Sequence, residues 1–318
     1  MTYKYTILIC LFVCGAAIAA LSVFEDVWNV PFEKKELRSF NLSPEAQARQ
    51  RVEAAKRGAE PGDGGDLFAD EKPNDGNGEK PPTEEPKKKD HVELPGGGRL
   101  YLEPKEDRRV ELDGMIVQQD VNIELVACSE GGKDHESVIT VKCVPEEVHA
   151  ALLLLGLRDK DSYGGGGPAK LGDPTEPVGD NVLVFIRWES DGKVVEHRAE
   201  DLTVDSRTGK TIPQVGWVFA GSKFVDEIDV ETGKPTGRQI YLATHGKTLV
   251  ATYHDPSSIL DLPIGEDSNN LYFANGKTLP ARGTRATLIV KPPKEEELKK
   301  LKAEQERVRK ELQEKKDK

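Results

Sequence analysis

The first apolar stretch of the chain is unbroken: Ile7 to Phe24 reads ILICLFVCGAAIAALSVF, with Lys4 the only charge ahead of it. A run of this length approaches the span of a bilayer and exceeds the usual core of a signal peptide. It predicts export, through an uncleaved membrane anchor or a leader cut after the small residues Ala17 and Ala19. The apolar Leu21, Val23 and Phe24 beyond that site favour the anchor, and Trp28 marks an interfacial boundary. Ser43 and Pro44 read as the cap and first turn of a polar helix, Pro44 to Arg57, stopped by Gly58. From Ala59 to His91 the chain is rich in Pro, Gly, Asp, Glu and Lys. With so little apolar surface to bury, it reads as a disordered acidic spacer.

Apolar alternation resumes near Leu100. It predicts strands at Arg109–Val117, Asn122–Ala127, Ser137–Cys143, Val182–Glu189, Lys193–His197, Gly216–Ala220, Arg238–Thr244, Lys247–Tyr253 and Ala286–Lys291. Asp191-Gly192 and His245-Gly246 read as hairpin turns between neighbouring strands. Asp205–Lys210 and Asp229–Lys234 share a D-x-x-T-G-K pattern that suits polar turns, with too few oxygen ligands for a calcium loop. One helix is predicted from Pro145, with Glu146 and Glu147 in its first turn, to a stop at Gly156. Its run Leu152–Leu155 is apolar on every side, which implies burial against a sheet.

Beyond Pro293, Leu298, Leu301, Gln305, Val308 and Leu312 fall at a and d spacing among i,i+4 Glu–Lys pairs. Two heptads leave two readings open, a solvated charged helix or an element of self-association. The expected fold class is therefore α+β and β-rich: mostly antiparallel sheets with one buried helix, plus an N-terminal apolar helix and a C-terminal charged helix. The segments are 1–24 leader or anchor, 25–98 polar helix and linker, 99–292 a single sandwich-like globular body, and 293–318 the helical tail.

Composition agrees with one lean domain among polar segments, since 36% of the 318 residues are hydrophobic and 32% charged. A formal net charge of −11 argues against nucleic acid and anionic lipid surfaces, both of which call for clustered cations. Of the four cysteines, Cys10 and Cys14 lie in the apolar run. Cys128 and Cys143 alone fall short of the thiolates an iron–sulfur cluster requires. In an oxidising compartment they are candidates for a disulfide.

Chemistry-bearing residues are densest in C-S-E-G-G-K-D-H-E-S and the following V-H-A-A-L. Cys128, His135, Glu136 and His149 are acceptable zinc or copper ligands. Their spacing matches no standard finger, and H-E lacks the second histidine of a zincin helix. Cys128 beside an imidazole is the other reading, a thiol nucleophile. The third is structural: His135 and Glu136 serve the backbone of a loop and His149 packs on its helix. Gly96–Gly98 and Gly164–Gly167 lack the strand–turn–helix setting of a phosphate loop, and no G-x-S-x-G elbow is present.

The stretches Lys133-Asp134-His135-Glu136-Ser137-Val138, Val148-His149-Ala150-Ala151-Leu152-Leu153, Trp217-Val218-Phe219-Ala220-Gly221-Ser222 and Leu260-Asp261-Leu262-Pro263 resemble the YdjY-like domain family of bacteria. The resemblance spans Glu106 to Lys291, and Cys128 ahead of the first stretch fits it. It implies an exported protein and carries no catalytic assignment. Members sometimes bear a ferredoxin-like label, which the cysteine count here does not support.

Anchor, spacer, domain and charged tail together point to a non-enzymatic binding or structural module of the cell envelope, engaging a partner or ligand through the loops around Cys128–Ser137 and the start of the following helix. The alternative is a metal-binding or redox protein built on Cys128, His135, Glu136 and His149. Expected partners are a membrane, through the N-terminal segment, and another protein or a second copy through the C-terminal helix.

Overall fold

Long strands whose alternate residues are apolar cannot remain single, and here they close on one another. The computed structural model describes residues 90–264 and 271–317. The predicted apolar run Ile7–Phe24, the polar helix Pro44–Arg57 and the spacer up to residue 89 lie outside the described residues. In chain order come β1 (Val92–Glu93), β2 (Arg99–Tyr101), β3 (Arg109–Ile116), β4 (Leu125–Ser129), β5 (Ser137–Val141) and helix α1 (Pro145–Leu154). Next are β6 (Asn181–Ser190), β7 (Lys193–Arg198), β8 (Thr203–Asp205), β9 (Lys210–Thr211), β10 (Trp217–Phe219), β11 (Phe224–Ile228) and β12 (Pro235–Tyr241). A short helix α2 (Leu242–Gly246) precedes β13 (Thr248–Ala251), β14 (Leu260–Asp261), β15 (Tyr272–Ala274) and β16 (Arg285–Lys291), and α3 (Glu295–Lys316) follows.

Eight strands form a closed ring in the order β3–β16–β6–β10–β14–β13–β4–β5, with β5 pairing back onto β3. The protein is thus β-rich and mostly antiparallel as expected, but its body is a barrel rather than a sandwich. Closure depends on β3, which carries β2 along Arg109–Glu111 and β5 along Gly114–Ile116, with β16 on its other side. A ring leaves its own strands no free edge to pair with other chains. Only the β13–β14 and β4–β5 joints are parallel.

Register stacks the interior. Leu288 lies opposite both Leu112 and Ile186, and Val290 opposite both Val110 and Val184. All six are no more than 1% exposed. Each fully buried aliphatic side chain contributes about 2 kcal/mol, so these layers hold the ring shut. The predicted Asp191-Gly192 turn is present, with φ of 53° and 69°, and joins β6 to β7. The two D-x-x-T-G-K segments are also turns, closing β8–β9 and β11–β12. In each, the leading aspartate accepts from a backbone N–H two or three residues on.

Helix α1 begins at Pro145 and ends before Gly156, whose φ is 86°, a conformation that favours glycine. Its burial is as predicted: Val148, Ala150, Ala151 and Leu152 are at most 4% exposed. Two expectations are corrected. His245-Gly246 does not close a hairpin; the predicted strand ends at Tyr241 and α2 follows, so β12 pairs with β11 instead. The C-terminal helix is not solvated on all sides. Leu301, Gln305 and Val308 are at most 6% exposed, and Gln305 donates to Asn181 Oδ1 (2.6 Å) and the Val215 carbonyl (2.7 Å). The apolar stripe read as a heptad seam is laid against the protein's own barrel. Among the described residues no helix is long and apolar enough to cross a membrane.

Candidate functional site

Parallel neighbours normally need a long crossover, yet β4 returns to β5 through residues 130–136 alone. So short a return must be fastened along its length, and the K-D-H-E-S residues do this. Lys133 pairs with Glu124 and, at 3.6 Å, with Glu136. Asp134 accepts from Thr140 Oγ1 (2.8 Å) and from Cys128 Sγ (3.4 Å), while Ser137 Oγ donates to the Lys133 carbonyl at 2.7 Å. Burial pushes the Cys128 thiol up from its ordinary value, and the Asp134 carboxylate pushes the same way. That is the reverse of what a thiolate nucleophile requires. His135 points into solvent, its side chain 76% exposed and its Nε2 3.8 Å from Glu136.

This return forms one wall of a broad depression of about 960 Å³. Glu130, Gly131 and Asp134 stand on that wall, and Glu189 and Val194 of the β6–β7 hairpin on the opposite one. The floor is the outer face of β3 and β16, where register places Arg285 beside Met115 and Met115 beside Thr140. Met115 is 46% and Val194 72% exposed. Asp113 is gripped by both terminal nitrogens of Arg99 (2.5 and 2.7 Å), and Arg187 by Glu111 at 3.0 Å. Arg285 and Lys142, which also line the groove, make no ion pair among the described residues.

His149 lies elsewhere. From α1 it reaches Tyr241 OH through Nδ1 (2.6 Å) and Asp159 Oδ2 through Nε2 (3.0 Å). Its ring stands perpendicular to that of Phe219, centroids 5.1 Å apart. Asp159 also accepts the backbone N–H and hydroxyl of Ser162. Burial alone would raise the Asp159 carboxyl, but the bonds from His149 and Ser162 outweigh it and hold the group well below the usual carboxylate range. A neutral His149 that donates to Asp159 from Nε2 accepts the tyrosine O–H on Nδ1, an aligned Asp–His–Tyr relay. Gly221 lets the backbone close over it, since a Cβ there would lie 3.2 Å from His149 Cε1.

The four ligand candidates are therefore divided: His135 and Glu136 lie on the surface return, Cys128 is buried in β4 beside it, and His149 belongs to the buried relay. Among the described residues no group of three or more His, Cys, Asp or Glu is placed to hold a metal ion. Cys128 and Cys143 are both free thiols.

The YdjY domain family model matches residues 104–291, more than half of the chain. The chain belongs to the YdjY domain family. No curated protein and no solved structure matches it. In this YdjY domain, three of the four stretches that carried the resemblance lie together. His149, Gly221 and Ser222 meet around the relay, with Ser222 N–H donating to Tyr241 OH at 3.3 Å, and Gly221 shares a small pit with Asp261. The fourth stretch is the β4–β5 return. The partners sequence reasoning missed, Asp159, Tyr241 and Asp261, have no spacing signature. Only the L-D-L-P stretch hinted at one, as an acid set among leucines.

Proposed function

We propose that this YdjY domain is an exported, non-enzymatic binding module of the cell envelope that takes a protein partner in the groove beside the β4–β5 return. The observation that carries the reading is the groove itself. It is roomy, its floor and wall expose Met115 and Val194, and it holds two cations, Arg285 and Lys142, without ion pairs. Exposed apolar side chains rimmed by polar groups mark interaction sites, and a partner completes them with anchors of matching chemistry. The complement here is a segment presenting an aliphatic side chain flanked by a carboxylate for Arg285 and Lys142 and by a cation for Glu130 and Glu189, which are likewise without ion pairs among the described residues. The apolar run Ile7–Phe24 and the polar residues after it support delivery outside the cytoplasm on a tether.

A photo-crosslinking residue in place of Met115, in the full chain expressed in its host, tests this. A discrete adduct is expected, and it should vanish on adding Arg285→Glu. The same residue in place of Val230, which is 98% exposed outside the groove, should give none. Identical adduct patterns at the two positions would refute groove binding. Recovery of the intact chain in the cytosolic fraction would refute export.

A further inference from the structure

Between Ala59 and His91 the chain holds only two large apolar residues, and they are adjacent: Leu67 and Phe68. Acids flank them, Asp66 before and Asp70 and Glu71 after, and Lys72 follows. A spacer works with Gly, Pro and charged residues alone, so a single apolar pair inside one calls for another role. Short apolar anchors set among charges are what peptide segments use to engage a groove.

The groove beside the β4–β5 return is the complement of this segment. Its exposed apolar side chains stand on two sides, Met115 on the floor and Val194 on the hairpin wall. Adjacent residues of an extended chain point to opposite sides, so Leu67 and Phe68 can meet floor and wall together. Register sets Arg285 beside Met115, and Lys142 lines the same groove, which provides two cations for Asp70 and Glu71. Lys72 in turn suits Glu130 and Glu189. Both signs of charge are matched.

The length of chain between segment and groove also fits. Val92 is aligned with Leu100 of β2, and Leu100 with Val110 of β3. Two strand spacings, about 10 Å, and the rise from Val110 to Met115, about 17 Å, put Val92 roughly 20 Å from the groove floor. The stretch from Lys72 to Val92, about 20 residues, has a root-mean-square span of about 25 Å. A linker whose natural span matches the separation holds its segment at an effective concentration of about 1 mM.

We propose that Asp66–Lys72 folds back into the groove of its own chain and guards it, so that a partner must displace it. This rests on the groove being the binding surface proposed above. For an intrinsic Kd of about 0.1 mM, the guarded form makes up about nine-tenths of the chains and partner affinity falls about tenfold.

The test uses the purified full chain in detergent, with a photo-crosslinking residue in place of Met115 and links mapped by mass spectrometry. A link to the peptide containing Leu67 and Phe68 is expected, at a yield independent of protein concentration. In a mixture of isotopically light and heavy chains it should join only residues carrying the same label. The double change Leu67→Ser/Phe68→Ser lies ahead of the matched residues 104–291 and leaves the barrel untouched. It should cut the link about tenfold and, in the host, raise the Met115 adduct with the partner severalfold. Links between light and heavy chains would make a second copy the occupant and overturn the proposal. A link that maps elsewhere, or one undiminished by the double change, would overturn it too. A host adduct at Met115 without the internal link spares the groove and sinks the guard, whereas absence of both removes the groove as well.

Discussion

The barrel has two parallel joints, each bridged by a return far shorter than such joints usually need, and the two have been treated differently. In the β4–β5 return Lys133, Asp134 and Ser137 each find a protein partner. In the β13–β14 joint Asp255 is satisfied, while Nε2 of His254 in the return and both oxygens of Asp261 in β14 have no side-chain partner among the described residues. The same topological problem thus has one complete solution and one with polar atoms left over. Residues that look reactive in a row can be fastenings.

The comparison is sharpest where the buried side is most tightly coupled. His149→Ala removes one of three donors to the buried Asp159 carboxylate and leaves a cavity beside Phe219, so it should cost about 3 kcal/mol, seen as a fall of roughly 6–12 °C in melting temperature. A loss below 1 kcal/mol would show the relay to be incidental. Acidification probes the same pair. Because Asp159 is held below its unfolded value, its contribution is in place above about pH 4 and disappears as the pH falls through the folded value. Acid unfolding of wild type should be steeper below pH 4 than that of Asp159→Asn; parallel curves would remove Asp159 from the account.

On the open side effects should be smaller and separate from stability. Met115→Asp changes a half-exposed side chain and should leave unfolding within about 0.5 kcal/mol while removing the groove adduct. Cys128→Ser keeps a donor for Asp134 and should cost about 1 kcal/mol, measured by urea titration. His135→Ala should be silent within about 0.5 kcal/mol. A large loss there would show that the return relies on a side chain that the structure leaves in solvent.

Local signals in the sequence were sufficient for the long elements. Asp191-Gly192 fixed a hairpin because both positions need positive φ, and Pro145 and Gly156 bounded α1. The period of Leu301, Gln305 and Val308 identified a helical stripe but not its partner, because a seam facing a barrel and one facing a second helix have the same spacing. Closure of the ring was not legible. It rests on β3 pairing with β16 across most of the domain, and on strands such as β14 that are only two residues long. Of the candidate residues, His149 proved to be the center of a buried network. Its partners Asp159 and Tyr241, ten and 92 positions away, are joined to it only by the fold.

The β3–β16 pairing also sets an order of events during synthesis. A ribosome that has not yet released residues 285–291 holds a chain with seven of the eight ring strands and two raw edges, one on β3 and one on β6. Until that last strand arrives the nascent polypeptide is open and adhesive along both edges.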